Sequence, residues 1–470
     1  MNMIQSRALV RGEMEPTNAP LYEGLRAYLK KGAIGFHTPG HAGGRAFALA
    51  PLMDLDLTEL ILGPEGPYLP QLVAEAETLA AKAFGAGRTF FLTNGASIGV
   101  LAMILGTCPP GGTIVVGRDC HRSVVHACIL GDLKPVFLSP TFVCGWEFPM
   151  GVNPLTLRDA LRRGDPVLVT NPTYQGVVWD LRGLGEAGGT LLVDEAHGAH
   201  LALAEGYGGA GAAGALAWVH GSHKTLGSLT QTGMLHLRAG VEPEPYAAWL
   251  ERLGSTSPSY PLLASLDLAR RWAVERGRAA WAGAAERLAR LRERLGRFGW
   301  RILADGDLPE GAALDPAKLT VAVPGGGPSF ARMLLGEYGL QAEAAGLDWV
   351  TFLVTPFHTE EELTRLEGAL ARHASSSAIR DPSPGWPRAL PARVLWPREA
   401  ALGSHRRVPL AETEGLIAAE ALSPYPPGIP LLWPGEVIDA ASIAYLLAVL
   451  EAGGAVHGID PAGRTAVVAI

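Results

Sequence analysis

Short apolar runs that each end in polar residues are the feature that most restricts how this chain of 470 residues folds. The runs are rich in Val, Ile, Leu and Phe, and segments of helical composition separate them. Such short runs, bounded by Gly or Pro, are typical of strands buried in a parallel sheet, and the intervening segments are long enough for crossover helices. The pattern predicts an open α/β sheet of mostly parallel strands. The predicted strands are 89–93, 113–116, 136–138, 167–170, 190–193 and 217–219.

Breaks in this pattern divide the chain into five predicted parts. Residues 1–45 form an arm rich in Gly and Pro, and residues 46–254 form the large sheet domain. A polar break with the sequence GSTSPSYP then opens a smaller α/β domain at 255–374. The Ser- and Pro-rich stretch 375–393 is a linker, and residues 394–470 form a C-terminal α+β domain. Within the smaller domain, the pattern predicts a helix at 262–298, strands at 300–304, 318–323 and 349–354, and a helix at 360–372.

Charge and hydropathy exclude several classes of protein. The formal net charge of −7 and the absence of a basic run argue against a general nucleic-acid-binding protein. No window approaches the roughly 20 uninterrupted apolar residues of a membrane span, and the N-terminus lacks the apolar core of a signal peptide. The four cysteines show neither metal-binding spacing nor the density of a disulfide framework. These features predict a cytoplasmic protein with no membrane or nucleic-acid partner.

Clusters of polar or small residues directly follow five of the apolar runs. In an open α/β sheet, ligands bind beyond the carboxyl ends of the strands, so these clusters predict a shared ligand site. Loops are polar in most proteins, which explains any single cluster but not the density of His, Asp, Lys and Ser in the set. The clusters are 94–97 (NGAS), 118–121 (RDCH), 171–174 (NPTY), 194–197 (DEAH) and 222–224 (SHK).

Lys224 and Asp194 are the strongest candidates for chemistry. Only six of the 39 cationic residues are lysines, and Lys224 lies in a Ser-His-Lys-Thr sequence directly after an apolar strand. Desolvation tunes a lysine, unlike an arginine, to form a Schiff base. Asp194 ends an apolar strand, where a buried carboxylate is costly unless it meets a cation such as a protonated pyridine nitrogen. The alternatives are an exposed surface lysine for Lys224, and an N-cap or a buried pair with an arginine for Asp194.

The neighbouring clusters suit the other parts of pyridoxal 5′-phosphate (PLP). The NGAS sequence precedes a helical segment, so the backbone N–H groups of Gly95 and Ala96 and the hydroxyl of Ser97 suit a phosphate at a helix N-terminus. Ser222, beside the candidate lysine, is a further phosphate contact. His121 suits stacking of its imidazole on an aromatic cofactor, although a lone histidine is more often structural.

A series of motifs resembles, in order, the bacterial Orn/Lys/Arg decarboxylases of the aspartate-aminotransferase fold. The motifs are FHTPGH, NGAS, GRDCHRSVVH, NPTYQG, VDEAHGAHL, GSHKTLGSLTQTG, STSPSY and a C-terminal IAAE…SPYPPGIPLLWPGE, and together they cover roughly residues 20–445. The resemblance implies a PLP fold type I large domain and decarboxylation of arginine, lysine or ornithine to agmatine or a diamine, in polyamine biosynthesis. It also implies a homodimer or a multiple of dimers.

The resemblance assigns roles to individual residues around the cofactor. Lys224 matches the lysine that carries PLP as a Schiff base, and Asp194 matches the partner of the pyridine nitrogen. His121 matches the histidine that stacks on the ring. His197 and His223 lie beside the cofactor, and either Lys224 or His223 reprotonates the substrate Cα. We therefore expect these residues to meet in one site.

The resemblance also assigns phosphate, substrate and subunit contacts. Ser97 and Ser222 match the phosphate contacts, and Glu436 falls in the Pro-Gly-Glu motif that helps to recognise the distal cation of the substrate. A short segment matches the one that these enzymes present to the site of a neighbouring subunit: Ser255, Thr256 and Ser257.

Two positions depart from the family pattern. Ala42 stands where a lysine usually follows the histidine of HxPGH, and Leu416 stands where the family usually has the arginine of Gly-Arg-Ile. Both departures leave the preferred basic amino acid open. The chain resembles the short forms without an N-terminal wing domain, which implies a biosynthetic role.

Three other functions stay open from the sequence alone. A PLP-dependent aminotransferase shares the fold and cofactor and needs an arginine clamp for the α-carboxylate, which several arginines of the smaller domain are able to supply. A zinc hydrolase would use His197, His200, His220 and His223, but Glu-Ala-His-Gly-Ala-His is not HExxH and no third ligand is evident. A catalytically silent paralogue is the third alternative, and the intact lysine and carboxylate argue against it.

Overall fold

The computed structural model describes residues 15–30, 52–62, 66–143, 145–374, 384–425 and 427–469. The FHTPGH motif, Ala42, and residues 375–383 of the expected linker lie outside the described residues. The α-helices are α1 (Pro20–Leu29), α2 (Leu69–Ala83), α3 (Gly95–Thr107), α4 (Arg122–Gly131), α5 (Pro154–Leu161), α6 (Gly209–Ala212), α7 (Ser222–Thr225), α8 (Glu244–Leu253), α9 (Tyr260–Trp272), α10 (Arg278–Arg297), α11 (Gly327–Tyr338), α12 (Glu360–Arg372), α13 (Pro397–Leu402) and α14 (Ala440–Glu451).

The strands fall into one large sheet and several small ones. They are β1 (Arg88–Leu92), β2 (Thr113–Gly117), β3 (Lys134–Leu138), β4 (Val167–Thr170), β5 (Val177–Trp179), β6 (Leu191–Glu195), β7 (Ala217–His220), β8 (Gly233–Leu237), β9 (Ala312–Leu314), β10 (Lys318–Ala322), β11 (Ala344–Ala345), β12 (Trp349–Leu353), β13 (His405–Pro409), β14 (Ser423–Tyr425), β15 (Ala455–His457) and β16 (Arg464–Val468).

The large sheet has seven strands in the order β1-β8-β7-β6-β4-β2-β3. Neighbours from β7 to β3 pair in parallel, whereas β8 runs antiparallel to both β1 and β7. All six strands predicted from the sequence overlap observed strands of this sheet. The mostly parallel α/β fold is therefore confirmed. The sequence did not predict β8, which is buried along its whole length.

Helices cover the large sheet, and their positions follow from their apolar residues. The helix α3 is buried against β7 and β8 and packs on α4 and α8, because it is apolar on nearly every side. On the other face, α1, α2 and α9 form a second core. The carboxyl ends of β4, β6 and β7 stay open between these layers.

The smaller antiparallel sheet has the order β10-β12-β11 and shares an apolar core with α10, α11 and α12. The predicted helix 262–298 forms as α9 and α10 joined by a π-helical turn at Ala273–Gly277. The predicted strand 300–304 makes a single bridge, between Ile302 and Val321. The first residue of β10, Lys318, is placed against the large domain. This contact brings a residue of the smaller sheet to the site described below.

The C-terminal part combines the paired strands β13–β16 and β14–β15 with α14 around a shared core. A buried ion pair fixes this part to the large sheet, because Arg118 after β2 donates from both terminal nitrogens to the two oxygens of Glu436 at 2.7 Å each. Within the described residues, the model contains no helix that is both long enough and apolar enough to cross a membrane.

Candidate functional site

A cavity of about 190 Å³ opens at the carboxyl ends of β4, β6 and β7. Lys224 and Asp194, the two residues on which the sequence interpretation depends most, both line it. The full lining is Gly95, Ala96, Ser97, Val100, His121, Ser123, Thr170, Tyr174, Asp194, Ala196, His197, His223 and Lys224. All five predicted polar clusters contribute residues here, as expected for a doubly wound sheet.

The NGAS turn presents the start of α3 to this cavity. Gly95 has φ of 78°, a left-handed conformation that only glycine adopts without strain. Its own N–H already donates to the carbonyl of Gln231 at 2.7 Å. The N–H groups of Ala96 and Ser97 lie in the first helical turn, where backbone donors have no partner within the helix. This end of α3 therefore suits an anion, with Ala96 and Ser97 as the amide donors.

His121 caps the N-terminus of α4. Its Nδ1 accepts a hydrogen bond from the backbone N–H of Ser123 at 3.2 Å, so Nδ1 carries no proton and Nε2 does. Burial, followed by the charges of Lys224 and Arg122, lowers the pKa of His121 to about 3. The ring is therefore neutral at physiological pH and presents an uncharged aromatic face to the cavity.

Asp194 is the penultimate residue of β6 and is 3% exposed. One of its carboxylate oxygens accepts a hydrogen bond from the N–H of Ala196 at 3.1 Å. Burial raises the pKa of Asp194, and Lys224 in its protonated form opposes that rise. A buried carboxyl of this kind becomes a stable anion only beside a cation, so the site suits a positively charged group of a ligand.

Lys224 lies in the short helix α7, directly after β7. Its Nζ is 2.8 Å from Nε2 of His197 and 5.6 Å from the centroid of the Tyr174 ring. Burial lowers the pKa of Lys224 to about 8, although Asp194 raises it. An amine with this pKa is partly uncharged near neutral pH, and the uncharged form is the nucleophile.

Ser222 and His223 flank the lysine. Ser222 is fully buried, and its hydroxyl has no hydrogen-bond partner among the described residues. The same is true of the Thr170 hydroxyl at the end of β4. His223 donates from Nδ1 to the carbonyl of Thr232 at 2.7 Å, and burial lowers its pKa. Unpaired buried hydroxyls are costly. Thr170 lines the cavity and is suited to contact with a bound group, whereas Ser222 is not part of the lining, and its phosphate contact stays a prediction.

The structure brings two further charged residues to the site that the sequence did not predict. Lys318 is 1% exposed, and its Nζ lies 3.2 Å from Nδ1 of His197. Burial lowers the pKa of Lys224 and of Lys318, and the carboxylate of Glu343, which precedes β11, opposes both shifts. The only signal for Lys318 was its rarity as a lysine inside an apolar strand pattern, and nothing in the sequence singled out Glu343.

Glu436 does not belong to this cavity. It is 1% exposed and both carboxylate oxygens bind Arg118, while the backbone N–H of Trp433 donates to one of them at 2.7 Å. The expected contact with the distal cation of a substrate is therefore not available to Glu436 in this structure. Its carboxylate instead joins the C-terminal part to the large domain.

The segment that the sequence predicted to face a neighbouring subunit lies outside the Lys224 cavity. Ser255, Thr256 and Ser257 are exposed. Ser255 and Ser257 border a separate, open cavity of about 640 Å³, which Asn94 and Gln231 also line. The NGAS turn stands between the two cavities. A subunit contact at this segment stays a prediction.

The histidines considered for a zinc site have other partners. His200 binds Asp315 at 2.8 Å, His220 binds Glu195 at 2.9 Å, and His197 lies between two lysines. Across the described ranges, no group of three or more His, Cys, Asp or Glu side chains is arranged to hold a metal. The geometry therefore gives no support to a metal-dependent reaction at these histidines.

Comparison with known families agrees with this geometry. Residues 19–321 match the family model described as Orn/Lys/Arg decarboxylase, major domain, and residues 388–462 match Orn/Lys/Arg decarboxylase, C-terminal domain. The chain belongs to the Orn/Lys/Arg decarboxylase family. The resemblance seen in the sequence motifs is thus confirmed. The prediction that the chain is a decarboxylase of basic amino acids is confirmed as well.

Individual members of the Orn/Lys/Arg decarboxylase family match along nearly the whole chain. The arginine decarboxylase of Bacillus subtilis is 31% identical over 95% of this chain and 96% of its own length. The lysine decarboxylase LdcA of Pseudomonas aeruginosa is 27% identical over 91% of this chain and 75% of its own length. The crystal structure of the Francisella novicida lysine decarboxylase LdcF superposes with a TM-score of 0.78 at 21% identity, covering 96% of this chain and 80% of that one. That superposition confirms the PLP fold type I.

Proposed function

We propose that this Orn/Lys/Arg decarboxylase converts L-arginine to agmatine with PLP bound covalently to Lys224. The relatives named arginine decarboxylase are 30–32% identical and align over at least 90% of this chain and 94% of their own. Those named lysine decarboxylase are 24–27% identical and align over 75–81% of their own length. The balance of similarity favours arginine as the substrate.

The observation that carries the proposal is that Lys224 and Asp194 line the same cavity. The amine of Lys224 suits the aldehyde of PLP, and the buried carboxylate of Asp194 suits the pyridine nitrogen on the other side of the ring. His121 supplies a neutral ring for its aromatic face. The amides of Ala96 and Ser97 suit its phosphate, as does the unpaired hydroxyl of Ser222.

The residues of the cavity therefore fit PLP, which when bound supplies an electron sink for the pair of electrons released as CO₂ leaves. Asp194, to which no cationic side chain of the described ranges is bonded, would hold a proton on the pyridine nitrogen. Lys224 would act through Nζ, first as the attachment point and then as one of two donors that return a proton to the substrate Cα. His223 is the other candidate donor.

Glu343 is a second candidate for the distal contact that was predicted for Glu436, whose carboxylate pairs with Arg118. It is an exposed carboxylate of the smaller domain whose charge acts on Lys224, Lys318 and His223, although it is not part of the cavity lining. A carboxylate binds a guanidinium through two parallel hydrogen bonds. We assign the recognition of the distal cation of arginine to Glu343.

The setting of the reaction follows from the same proposal. Agmatine formation from arginine is a step of polyamine biosynthesis, and we place it in the cytoplasm. The enzyme acts as a homodimer or a multiple of dimers. The exposed segment 255–257 faces the neighbouring subunit in this assembly.

Product analysis tests the proposal. The purified protein is supplied with PLP and, in separate reactions, with L-arginine, L-lysine and L-ornithine, and released CO₂ and amine are quantified. We expect stoichiometric CO₂ and agmatine, with the highest kcat/KM for arginine. Formation of a keto acid without CO₂ would instead favour the aminotransferase alternative, and faster turnover of lysine or ornithine would refute the substrate assignment.

The Glu343→Gln variant tests the distal contact. Loss of a charge-assisted hydrogen bond costs about 1.5–3 kcal/mol, so KM for arginine should rise roughly 10- to 100-fold. The visible absorbance of the bound cofactor should stay unchanged. Glu337→Gln, an equally exposed change on α11, is the matched control. An unchanged KM in Glu343→Gln would show that another group binds the guanidinium.

A further inference from the structure

The imidazole of His197 lies between two lysine side chains. Its Nε2 is 2.8 Å from Nζ of Lys224, and its Nδ1 is 3.2 Å from Nζ of Lys318. His197 follows β6 of the large sheet, whereas Lys318 begins β10 of the smaller sheet. His197 and Lys318 are 4% and 1% exposed, so the described residues leave almost no solvent around the contact.

Hydrogen-bond chemistry restricts the charges of this array. A neutral imidazole has one N–H donor and one acceptor nitrogen, and a lysine ammonium only donates. His197 is neutral, because burial and the two neighbouring lysines hold its pKa well below the usual range. It therefore accepts from one ammonium and donates to the other lysine, which must be an uncharged amine. One of Lys224 and Lys318 is charged, and the other is not.

The surrounding carboxylates favour the charge on Lys318. Asp315 acts on Lys318, and its pKa is lowered, chiefly by its contact with His200 against the opposing effect of burial, so it is a stable anion. Asp194, the carboxylate that acts on Lys224, has a raised pKa. Glu343 acts on both lysines. Two further histidines, His121 and His223, lower the pKa of His197 and add no negative charge.

We propose that Lys318 is a positioning residue for the proposed cofactor lysine. The ammonium of Lys318 donates to Nδ1 of His197, which fixes the imidazole proton on Nε2, and Nε2–H donates to an uncharged amine of Lys224. The inference deepens the proposed function, on which its role in catalysis rests. It assigns to the smaller domain a direct influence on the protonation of Lys224.

The array also provides a route for one proton without a change in net charge. When Lys224 takes the proton from Nε2 of His197, Nδ1 takes one from Nζ of Lys318. The positive charge then resides on Lys224, and Lys318 becomes a neutral amine. Lys318 is in this way a buried proton reserve for Lys224, connected through a single ring.

The His197→Phe variant gives the first test, because phenylalanine retains a buried ring but has no nitrogen. The pKa of Lys224 is measured in the full chain freed of cofactor, from the pH dependence of its acetylation by competitive labelling and mass spectrometry. In this variant the uncharged amine of Lys224 loses the hydrogen bond that it accepts from Nε2–H of His197. Because that bond stabilises the uncharged form, its loss should raise the pKa of Lys224. A fall would mean that Lys224 was an ammonium donating to Nε2, and no change would mean that the ring does not control it; either result overturns the proposal.

The Lys318→Met variant tests the origin of the effect. We expect it to raise the pKa of Lys224 by roughly one pH unit in the wild-type background, and by much less in the His197→Phe background. An equal rise in both backgrounds would show that Lys318 acts by charge repulsion alone, which contradicts the proposal. Lys82→Met, which removes the same charge from the exposed face of α2, is the matched control and should leave the pKa of Lys224 unchanged.

A direct measurement of the imidazole tautomer keeps the proposal testable even where Lys318→Met fails to fold. Histidine-selective ¹⁵N NMR of the cofactor-free chain reports which ring nitrogen is protonated, and the His197 signal is assigned by its loss in His197→Phe. A proton on Nε2 is expected, and a proton on Nδ1 overturns the proposal. These readouts need neither PLP nor turnover, so they are distinct from a failure of the proposed function itself.

Discussion

At the scale of single residues, burial rather than pairing sets the behaviour of the ionisable groups at the ends of the strands. Lys224 and Asp194 depart from their ordinary pKa values in the directions that favour their neutral forms, and burial is the largest cause for both. The sequence predicted both residues, because each follows an apolar strand directly. It did not predict Lys318 or Glu343, because they reach the site from the smaller domain through tertiary packing that no local pattern records.

Asp119 gives a prediction of pH-dependent stability. It is 4% exposed, neither carboxyl oxygen has a hydrogen-bond partner in the described part of the chain, and burial raises its pKa to about 7. Between the ordinary pKa of 3.8 and about 7, the folded state holds a proton that the unfolded state releases. The free energy of unfolding therefore falls as the pH rises through this range and levels off above it.

Asp119→Asn removes this cost and keeps the shape of the side chain. We expect the variant to be more stable than the wild type by on the order of 2–4 kcal/mol at pH 8, with a much smaller difference at pH 5. Urea unfolding at the two pH values measures the change. An equal difference in unfolding free energy between the variant and the wild type at pH 5 and pH 8 would mean that Asp119 does not titrate in this range.

At the scale of elements, the sequence predicted the parallel strands but not the antiparallel one. Each predicted strand is short, apolar and bounded by Gly, Pro or polar residues, and this pattern is typical of a strand buried inside a sheet. The strand β8 follows the Lys224 loop after a short connection, so no crossover helix marked it. The predicted helix 262–298 was one pattern in the sequence, yet it contains a π-helical turn at Ala273–Gly277, which periodicity does not distinguish from a continuous α-helix.

The turn that starts α3 supplies a matched pair of glycine variants. Gly95→Ala places a side chain at φ of 78°, which costs about 1–2 kcal/mol, and it should also weaken cofactor binding because the amides of Ala96 and Ser97 move. Gly283→Ala, at an exposed position inside α10 with no atom near the added methyl, should instead stabilise by up to about 1 kcal/mol. Thermal unfolding and PLP titration of both variants check this. Equal PLP affinity in Gly95→Ala and the wild type would show that the NGAS turn does not contribute to PLP binding.

At the scale of the whole molecule, the cavity depends on how the three parts of the chain pack together. Residues of the large domain between 95 and 224 line the cavity, Lys318 of the smaller domain contacts His197 of that lining, and the C-terminal part is fixed to the large sheet by the pair Arg118–Glu436. Composition and periodicity predicted these parts separately. They did not predict the contacts between them, because packing across parts depends on distances that a single sequence does not fix.

Glu436→Ala tests the structural role of this ion pair. The variant leaves Arg118 buried without its carboxylate, which should cost about 3–5 kcal/mol of unfolding free energy. Asp180→Ala, which breaks the exposed pair with Arg182, should cost less than about 1 kcal/mol and is the control. Denaturant unfolding measures both. A stable Glu436→Ala variant with a raised KM for arginine would return Glu436 to the role of a substrate contact.

Identification of the lysine that carries the cofactor tests whether Lys224 forms the Schiff base with PLP. The protein loaded with PLP is reduced with sodium borohydride and digested, and the phosphopyridoxyl group is located by tandem mass spectrometry. We expect the modification on Lys224, with loss of the visible absorbance band in Lys224→Ala. Modification of a different lysine, or none at all in protein that releases CO₂ from arginine, would contradict it.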